Sequence, residues 1–162
     1  MNLFVPKMRF EHSINCITVN YYELLRRGEI KLFDWGKFRW FETFIAIKFT
    51  YDRFKEDWLL KLAEILKKQG ADYNEFTELW KTPLNRWRFE THIVNMAMML
   101  KSEVFTSNLF NSAYTDSAAR LCDILEKYNG TPVATFTGDE VLSGLSPIQG
   151  TELCSVTELM YS

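Results

Sequence analysis

Apolar side chains recur at intervals of three and four residues along most of this chain, and this periodicity limits the possible folds more than any other feature. The clearest case is residues 56–69, where one helical face would carry Trp58, Leu59, Leu62, Ile65 and Leu66. Gly70 follows as a helix stop signal. No segment of strand length alternates apolar and polar residues, so the pattern predicts an all-α fold.

The same periodicity predicts further helices over residues 14–25, 34–53, 74–80, 91–110 and 115–128, and a last helix from Thr151 that is still running at Ser162. Asp34 and Thr151 are the predicted N-caps of two of them. Between Phe38 and Tyr51 the second helix is apolar over most of its circumference, which predicts burial on both sides. No linker rich in Pro, Gly or Ser divides the chain. We therefore expect one unit over residues 1–162, cut within its last helix.

Net charge and hydropathy exclude two classes of partner. The formal net charge is −2, and the Lys and Arg residues are scattered, so no surface for neutralising nucleic-acid phosphates is predicted. Charges interrupt every apolar run well before the roughly 18 residues that a membrane span needs. Residues 1–7 lack the basic segment and apolar run of a secretory signal. The sequence thus indicates an intracellular protein, or one whose true N-terminus lies upstream.

Aromatic and cysteine residues each allow two interpretations. Aromatics make up 15% of the chain, many beside charged or amide residues, as suits sugars whose C–H faces stack on rings. The alternative is that the rings fill the core. The three cysteines are odd in number and far apart, which favours thiols or metal ligation over disulfides. Cys122, inside a predicted helix, is expected to be a small core residue.

Residues 131–150 are rich in Gly, Pro, Ser and Thr and predict a structured loop, a type of segment that is usually functional at this length. On this loop Glu140 follows Asp139 and is either a general acid or part of a solvated turn. Glu152 and Cys154 are expected in the first turn of the last helix, where the helix dipole favours a carboxylate and a thiolate. Together they suit zinc, although a structural zinc has four ligands. The alternative is a helix-capping Glu and a buried Cys.

Three segments of the chain resemble one enzyme family. Residues 137–162 read TGDEVLSGLSPIQGTELCSVTELMYS. This run is similar to the acid/base and zinc-ligand region of the β-L-arabinofuranosidase-like hydrolases, glycoside hydrolase family 127 and its relatives. Residues 34–40, DWGKFRW, and 91–98, THIVNMAM, look like two further segments of that family in the same order. The resemblance spans roughly residue 33 to the end of the chain.

The resemblance implies an (α/α)6 barrel and retaining cleavage of terminal β-L-arabinofuranosyl or similar residues. By position, Glu140 matches the catalytic acid/base, and Glu152 and Cys154 match two of the zinc ligands. His92 looks like a substrate-binding residue of the sugar pocket, with a histidine hydrogen-bonded at the edge of the core as the alternative. In the family, a zinc-bound cysteine attacks the anomeric carbon.

The chain also departs from the family pattern. The family's nucleophile belongs to a closely spaced cysteine pair downstream of the glutamate-cysteine motif, and residues 1–162 do not include that pair. We therefore expect a catalytic-domain fragment with an incomplete zinc site and no activity alone. Apolar faces exposed at the cut ends predict self-association. The alternatives are a non-catalytic helical module that binds carbohydrate or protein, and a structural helical repeat.

Overall fold

The computed structural model describes residues 4–82 and 86–162, and within these ranges the regular elements are helices, with no β-strand. The all-α prediction is confirmed. The chain divides into two compact units, Met1–Gly70 and Ala71–Ser162, called unit 1 and unit 2 below. The α-helices are α1 Phe4–Arg26, α2 Asp34–Phe38, α3 Thr43–Phe54 and α4 Asp57–Gln69 in unit 1, and α5 Thr77–Lys81, α6 Ile93–Phe110, α7 Ser117–Asn129 and α8 Leu153–Tyr161 in unit 2.

In unit 1, helices α1, α3 and α4 pack against one another. Leu59, Leu62 and Leu66 of α4 are fully buried, as the periodicity of that segment predicts. Phe44 and Ile47 of α3 are buried as well. The core of unit 1 is therefore made by one face of each helix.

The single helix predicted over residues 34–53 is wrong. The chain forms α2, breaks at Arg39, makes a 3-10 turn at Trp40–Glu42 and continues as α3. The break lets Trp40 and Phe41, neighbours in sequence, both be buried. A side chain at Gly70 would collide with the Trp40 ring, so this glycine ends α4 and also admits the indole. Asp34 is not a cap: it is the first residue of α2, after Phe33.

In unit 2, α5 packs on α7, and α6 packs on both α7 and α8. Helix α6 is buried over most of its circumference; its buried residues are Ile93, Val94, Asn95, Met96, Ala97, Met98, Met99, Lys101, Ser107 and Leu109. The helix expected to be buried on both sides was the one containing Phe38 to Tyr51, but Ile45 there is 46% exposed. The helix that is buried over most of its circumference is α6, because both α7 and α8 pack against it.

Helix α1 begins at Phe4, ten residues before the predicted start at Ile14, whereas the predicted helices of unit 2 lie close to their expected positions. Residues 74–80 form a 3-10 turn, Tyr73–Phe76, followed by α5, and the predicted segments 91–110 and 115–128 correspond to α6 and α7. Residues 131–150 form turns with one 3-10 segment, Pro147–Gln149. None of the helices in the described ranges is long and apolar enough to cross a membrane.

Candidate functional site

The loop after α7 is joined to the start of α6 by an isolated antiparallel bridge between His92 and Val141. The Ile93 amide donates to the Glu140 carbonyl at 3.0 Å, and the Leu142 amide donates to the Thr91 carbonyl at 3.0 Å. These main-chain bonds fix the loop beside the first residues of α6. As a result, His92 and Glu140, far apart in sequence, become neighbours.

The first pair of candidate side chains is His92 and Glu140. His92 Nε2 lies 3.3 Å from Glu140 Oε2, and the two side chains are 7% and 62% exposed. The imidazole is thus buried, while the carboxyl group that it contacts is open to solvent. This is the arrangement of a histidine bonded to a neighbour at the edge of the core, and the neighbour is the candidate acid itself. A carboxyl group that contacts a buried histidine and is itself accessible to solvent suits proton transfer to a ligand.

Glu140 also has an unusual backbone conformation. Its φ is +77°, a left-handed value that side-chain-bearing residues rarely adopt. Such a conformation costs on the order of 1–3 kcal/mol and persists where the surroundings impose it. Here the His92–Val141 bridge holds the adjacent residue. Strained residues of this kind cluster at functional sites, so the conformation supports the interpretation of Glu140 as a functional residue.

Gly138 connects the loop to the beginning of α8. Its amide donates to the Gly150 carbonyl and its carbonyl accepts from the Glu152 amide, both at 3.0 Å. Its φ is +141°, and a Cβ at this position would collide with the Val141 carbonyl oxygen. Only glycine permits this close approach. The residue therefore allows the loop to lie near both His92 and Glu152.

The second pair is Glu152 and Cys154 at the start of α8. Thr151, the predicted N-cap, instead forms a parallel bridge with Gly138, so the helix begins at Leu153 and Glu152 occupies the cap position. Cys154 is exposed, and its thiol lies near the Glu152 carboxylate. Interaction with that carboxylate raises the pKa of Cys154 above its ordinary value. The carboxylate therefore opposes the preference for a thiolate that is expected at a helix start.

This second pair fits one half of a zinc site. Carboxylate oxygen and cysteine sulfur are both zinc ligands, and both side chains stand at the start of α8. The buried oxygens Glu152 Oε2, Ser155 Oγ and Thr91 Oγ1 have no hydrogen-bond partner within the described residues. Across residues 4–82 and 86–162, no three His, Cys, Asp or Glu side chains come close enough to hold a metal ion. A tetrahedral zinc here needs two ligands in addition to this pair.

A cavity of about 220 Å³ lies beside the Gly138–Thr151 bridge. Threonine and glycine residues line it together with Pro132 and Leu145; the set is Gly130, Thr131, Pro132, Thr137, Leu145, Gly150 and Thr151. None of the four predicted site residues belongs to this lining. The cavity is therefore a separate feature of the same loop.

Asn129 holds the loop of the candidate site in place. From the sequence, this residue was predicted only to mark the end of a helix. Its side chain donates to the Trp80 carbonyl at 2.8 Å and accepts from the Gly144 amide at 3.0 Å. Its own carbonyl accepts from the Thr137 amide at 2.7 Å. One fully buried amide side chain thus fixes the loop to α5 and α7.

Two further features of unit 2 escaped the sequence analysis. Lys101 of α6 is buried against Glu158 of α8, and its ammonium lies 4.4 Å from the centroid of the Tyr161 ring. Trp87, five positions before His92, is 46% exposed and contacts the His92 ring. The sequence signal that could have indicated Lys101 is a charged residue within an apolar helix. For Trp87, the corresponding signal is an aromatic residue between two arginines.

The three cysteines differ in exposure: Cys16 and Cys154 are exposed, and Cys122 is intermediate. No disulfide joins the three cysteines, all of which lie in the described part of the chain. Cys122 is half-buried in α7, and burial raises the pKa of its thiol to about 11, with smaller effects of Asp123 and Glu126. A thiol with that pKa stays protonated at neutral pH. Cys122 is therefore suited to packing and not to nucleophilic attack.

The structure thus brings the predicted site residues together as two pairs, His92 with Glu140 and Glu152 with Cys154, linked through the main chain of Gly138. Comparison of the chain with protein-family models, with curated proteins and with solved structures finds no match. The residues and their geometry, together with the sequence resemblance, are the basis for inferring a function.

Proposed function

We propose that this chain is part of a retaining glycoside hydrolase of the β-L-arabinofuranosidase type, which removes terminal β-L-arabinofuranosyl or similar residues. The observation that carries the proposal is Glu140: its carboxyl group is 62% exposed, contacts His92 and sits on a backbone with φ +77°. The family resemblance of residues 137–162 supplies the reaction class.

Glu140 is the proposed proton donor and acceptor. Its carboxyl group protonates the leaving oxygen as the glycosidic C–O bond breaks, and then removes a proton from the water that releases the sugar. His92 holds the carboxyl group from its buried side, at 3.3 Å, next to the sugar pocket in which the resemblance places it. The proposed role of His92 therefore combines substrate proximity with orientation of Glu140.

Glu152 and Cys154 are the proposed holders of a zinc ion. Their shared position at the start of α8 supports this role, because a carboxylate and a thiol near each other can ligate one ion. When bound, zinc supplies a positive charge that lowers the pKa of a coordinated thiol and so offsets the effect of Glu152 on Cys154. The resemblance assigns the nucleophile and the remaining ligand to a cysteine pair downstream of residue 162.

The proposed architecture is an (α/α)6 barrel of which these helices form a part. Helix α6, covered by α7 and α8, has the burial expected of an inner helix. Leu153 and Met160 of α8 lie two turns apart and are 74% and 83% exposed. These apolar side chains support the proposal that the isolated chain self-associates.

The zinc proposal is tested on the 162-residue chain by competition with a chromophoric zinc indicator. We expect weak binding that is lost in Cys154→Ser and reduced in Glu152→Gln. Cys122→Ser is the matched control, because it removes a half-buried thiol from the same unit and should bind zinc like the parent. Equal binding by the Cys154→Ser variant and the parent would contradict the assignment.

The hydrolase proposal is tested by activity on a β-L-arabinofuranosyl disaccharide. The 162-residue chain should release no arabinose, whereas a chain extended through the downstream cysteine pair should release it. In the extended chain, Glu140→Gln should lower the rate by about 100-fold or more, the typical contribution of a general acid. An extended chain that keeps its full rate after Glu140→Gln would refute the role of this residue.

A second candidate function is a non-catalytic module that binds carbohydrate. The observation in its favour is the cavity of about 220 Å³, which threonines and apolar side chains line and from which the candidate acid is absent. For this function, Leu145→Trp, which fills the cavity, should abolish sugar binding while Glu140→Gln leaves it unchanged. The hydrolase proposal instead predicts that Leu145→Trp leaves sugar binding unchanged, because neither His92 nor Glu140 lines this cavity.

A further inference from the structure

Trp87 is a large aromatic side chain that the core does not absorb. It lies just before the 3-10 turn Phe89–Thr91 that leads into α6, and 46% of the residue is exposed. An exposed tryptophan is unusual, because its burial ordinarily contributes strongly to the core. Its ring contacts His92, the histidine that contacts the candidate acid, and this position suggests a role in binding.

Edge-to-face contacts with Phe89 and His92 hold the Trp87 ring. Its centroid lies 4.9 Å from that of Phe89, with an interplanar angle of 69°, and 5.9 Å from that of His92, with an angle of 77°. These distances and angles are typical of attractive aromatic pairs. The ring is thus oriented by its neighbours, although almost half of its surface stays open.

The ring also lies beside the site of the proposed chemistry. Trp87 contacts His92, and His92 contacts the exposed carboxyl group of Glu140. The exposed indole and the carboxyl group that a leaving oxygen would reach therefore contact the same histidine. Sugar rings have apolar C–H faces that pack on aromatic rings, while their hydroxyl groups need polar partners.

We propose that Trp87 is the stacking platform for a sugar ring of the substrate, in a subsite adjacent to the bond that Glu140 protonates. The inference rests on the proposed function for the bond that is cleaved. It adds the residue that binds the sugar and the kind of contact, a C–H face on an indole. Trp87 is thereby a binding residue, distinct from the proton transfer assigned to Glu140.

Trp35 of unit 1 provides a matched control. It is 41% exposed, close to the value for Trp87, but the Arg39 guanidinium lies 4.5 Å from the centroid of its ring. A cation thus occupies part of its surface. Trp35 therefore represents an exposed indole whose described contact is with a cation and not with the His92–Glu140 pair.

The experiment is a titration of the isotope-labelled 162-residue chain with methyl β-L-arabinofuranoside at millimolar concentrations. The chain has five tryptophans, whose indole N–H signals are assigned by single substitution to Phe. We expect the Trp87 indole signal and the main-chain amides of His92 and Glu140 to shift with the same affinity. Trp87→Ala should weaken binding about threefold to tenfold, Trp87→Phe much less, and Trp35→Ala not at all. The indole signals of the other tryptophans report that each variant is folded.

The outcomes separate the two proposals. If the amides of His92 and Glu140 respond to the sugar while the Trp87 signal does not move and Trp87→Ala binds equally well, the platform is refuted and the proposed function survives. If none of these signals responds, sugar binding at this site is refuted, and the platform with it. If the indole signal of Trp35 shifts as much as that of Trp87, the sugar stacks nonspecifically on exposed indoles, and the inference is overturned as well.

Discussion

The two units bury polar side chains to very different extents. In unit 1 the buried polar residues with described side chains are Thr18 and Thr50, and both lie in helices. In unit 2 they are Thr91, His92, Asn95, Lys101, Ser107, Asn129, Thr137 and Ser155. Unit 1 is built from regular helices whose main-chain groups satisfy one another. Unit 2 encloses an irregular loop, and side chains must supply the missing partners.

This difference indicates where a function is to be sought. Buried polar groups cost free energy unless they are hydrogen-bonded, so a sequence that keeps many of them uses them for geometry or chemistry. In unit 2, Thr91, His92, Asn129 and Thr137 lie in or against the loop that carries Glu140, and Ser155 lies at the start of α8. The core of unit 1 consists mainly of aromatic and leucine side chains, and it contains fewer buried polar groups that need hydrogen-bond partners.

The largest expected effect concerns the buried ion pair of unit 2. Glu158→Gln leaves the Lys101 ammonium, 4% exposed, without its carboxylate partner. We expect a loss of about 3 kcal/mol in the free energy of unfolding, the lower end of the range for breaking a buried pair, because Glu158 is a third exposed. Urea unfolding followed by circular dichroism measures the loss.

The matched change in unit 1 is Asp52→Asn, which removes the partner of Lys48 at 2.5 Å on an exposed helical surface. It should leave the urea midpoint nearly unchanged, since solvent screens such pairs. The double substitution Lys101→Met with Glu158→Leu should recover most of the stability lost in unit 2. Equal losses for Glu158→Gln and Asp52→Asn would remove the contrast between the two units.

A smaller effect is expected at Asn129. Asn129→Ala leaves the Gly144 amide and the Trp80 carbonyl without a partner, and we expect a loss of about 2 kcal/mol. The loop should also loosen, which amide hydrogen exchange at Gly144 would detect. Thr50→Val is the comparison in unit 1: the Thr50 hydroxyl donates to the Ala46 carbonyl of its own helix at 2.8 Å. Its removal should cost less than about 1 kcal/mol, since that carbonyl keeps its helical bond.

The smallest effect is a gain in stability. Glu140→Gly relieves the left-handed conformation at φ +77° and should raise the free energy of unfolding by about 0.5 kcal/mol, while it removes the proposed acid. Lys55→Gly in unit 1, at the left-handed C-cap of α3 with φ 53°, should give a similar gain. Glu140→Ala, which keeps the strain, should give none. A clear loss in Glu140→Gly alone would mean that the Glu140 side chain holds the loop in place.

Much of the fold followed from local sequence, and the exceptions have identifiable causes. The amphipathic pattern of residues 56–69 predicted α4, because its periodicity and its stop at Gly70 are local properties. The break at Arg39 was not predictable, since it depends on Trp40 packing where Gly70 leaves room. The cap at Thr151 failed for a similar reason: the bridge to Gly138 involves a residue thirteen positions away, which competes with capping.

The features of the candidate site also fall into those that the sequence predicted and those that only the structure revealed. The sequence by itself determined the all-helical class and placed Glu152 and Cys154 near one helix start, while the bridge from Thr151 to Gly138 decided that Glu152 occupies the cap position. Only the tertiary structure decided that His92 lies against Glu140, that Glu140 is strained and that Trp87 stands beside them. Those features depend on main-chain bonds between segments distant in sequence, and such bonds form only after the helices have packed and placed the loop on α6.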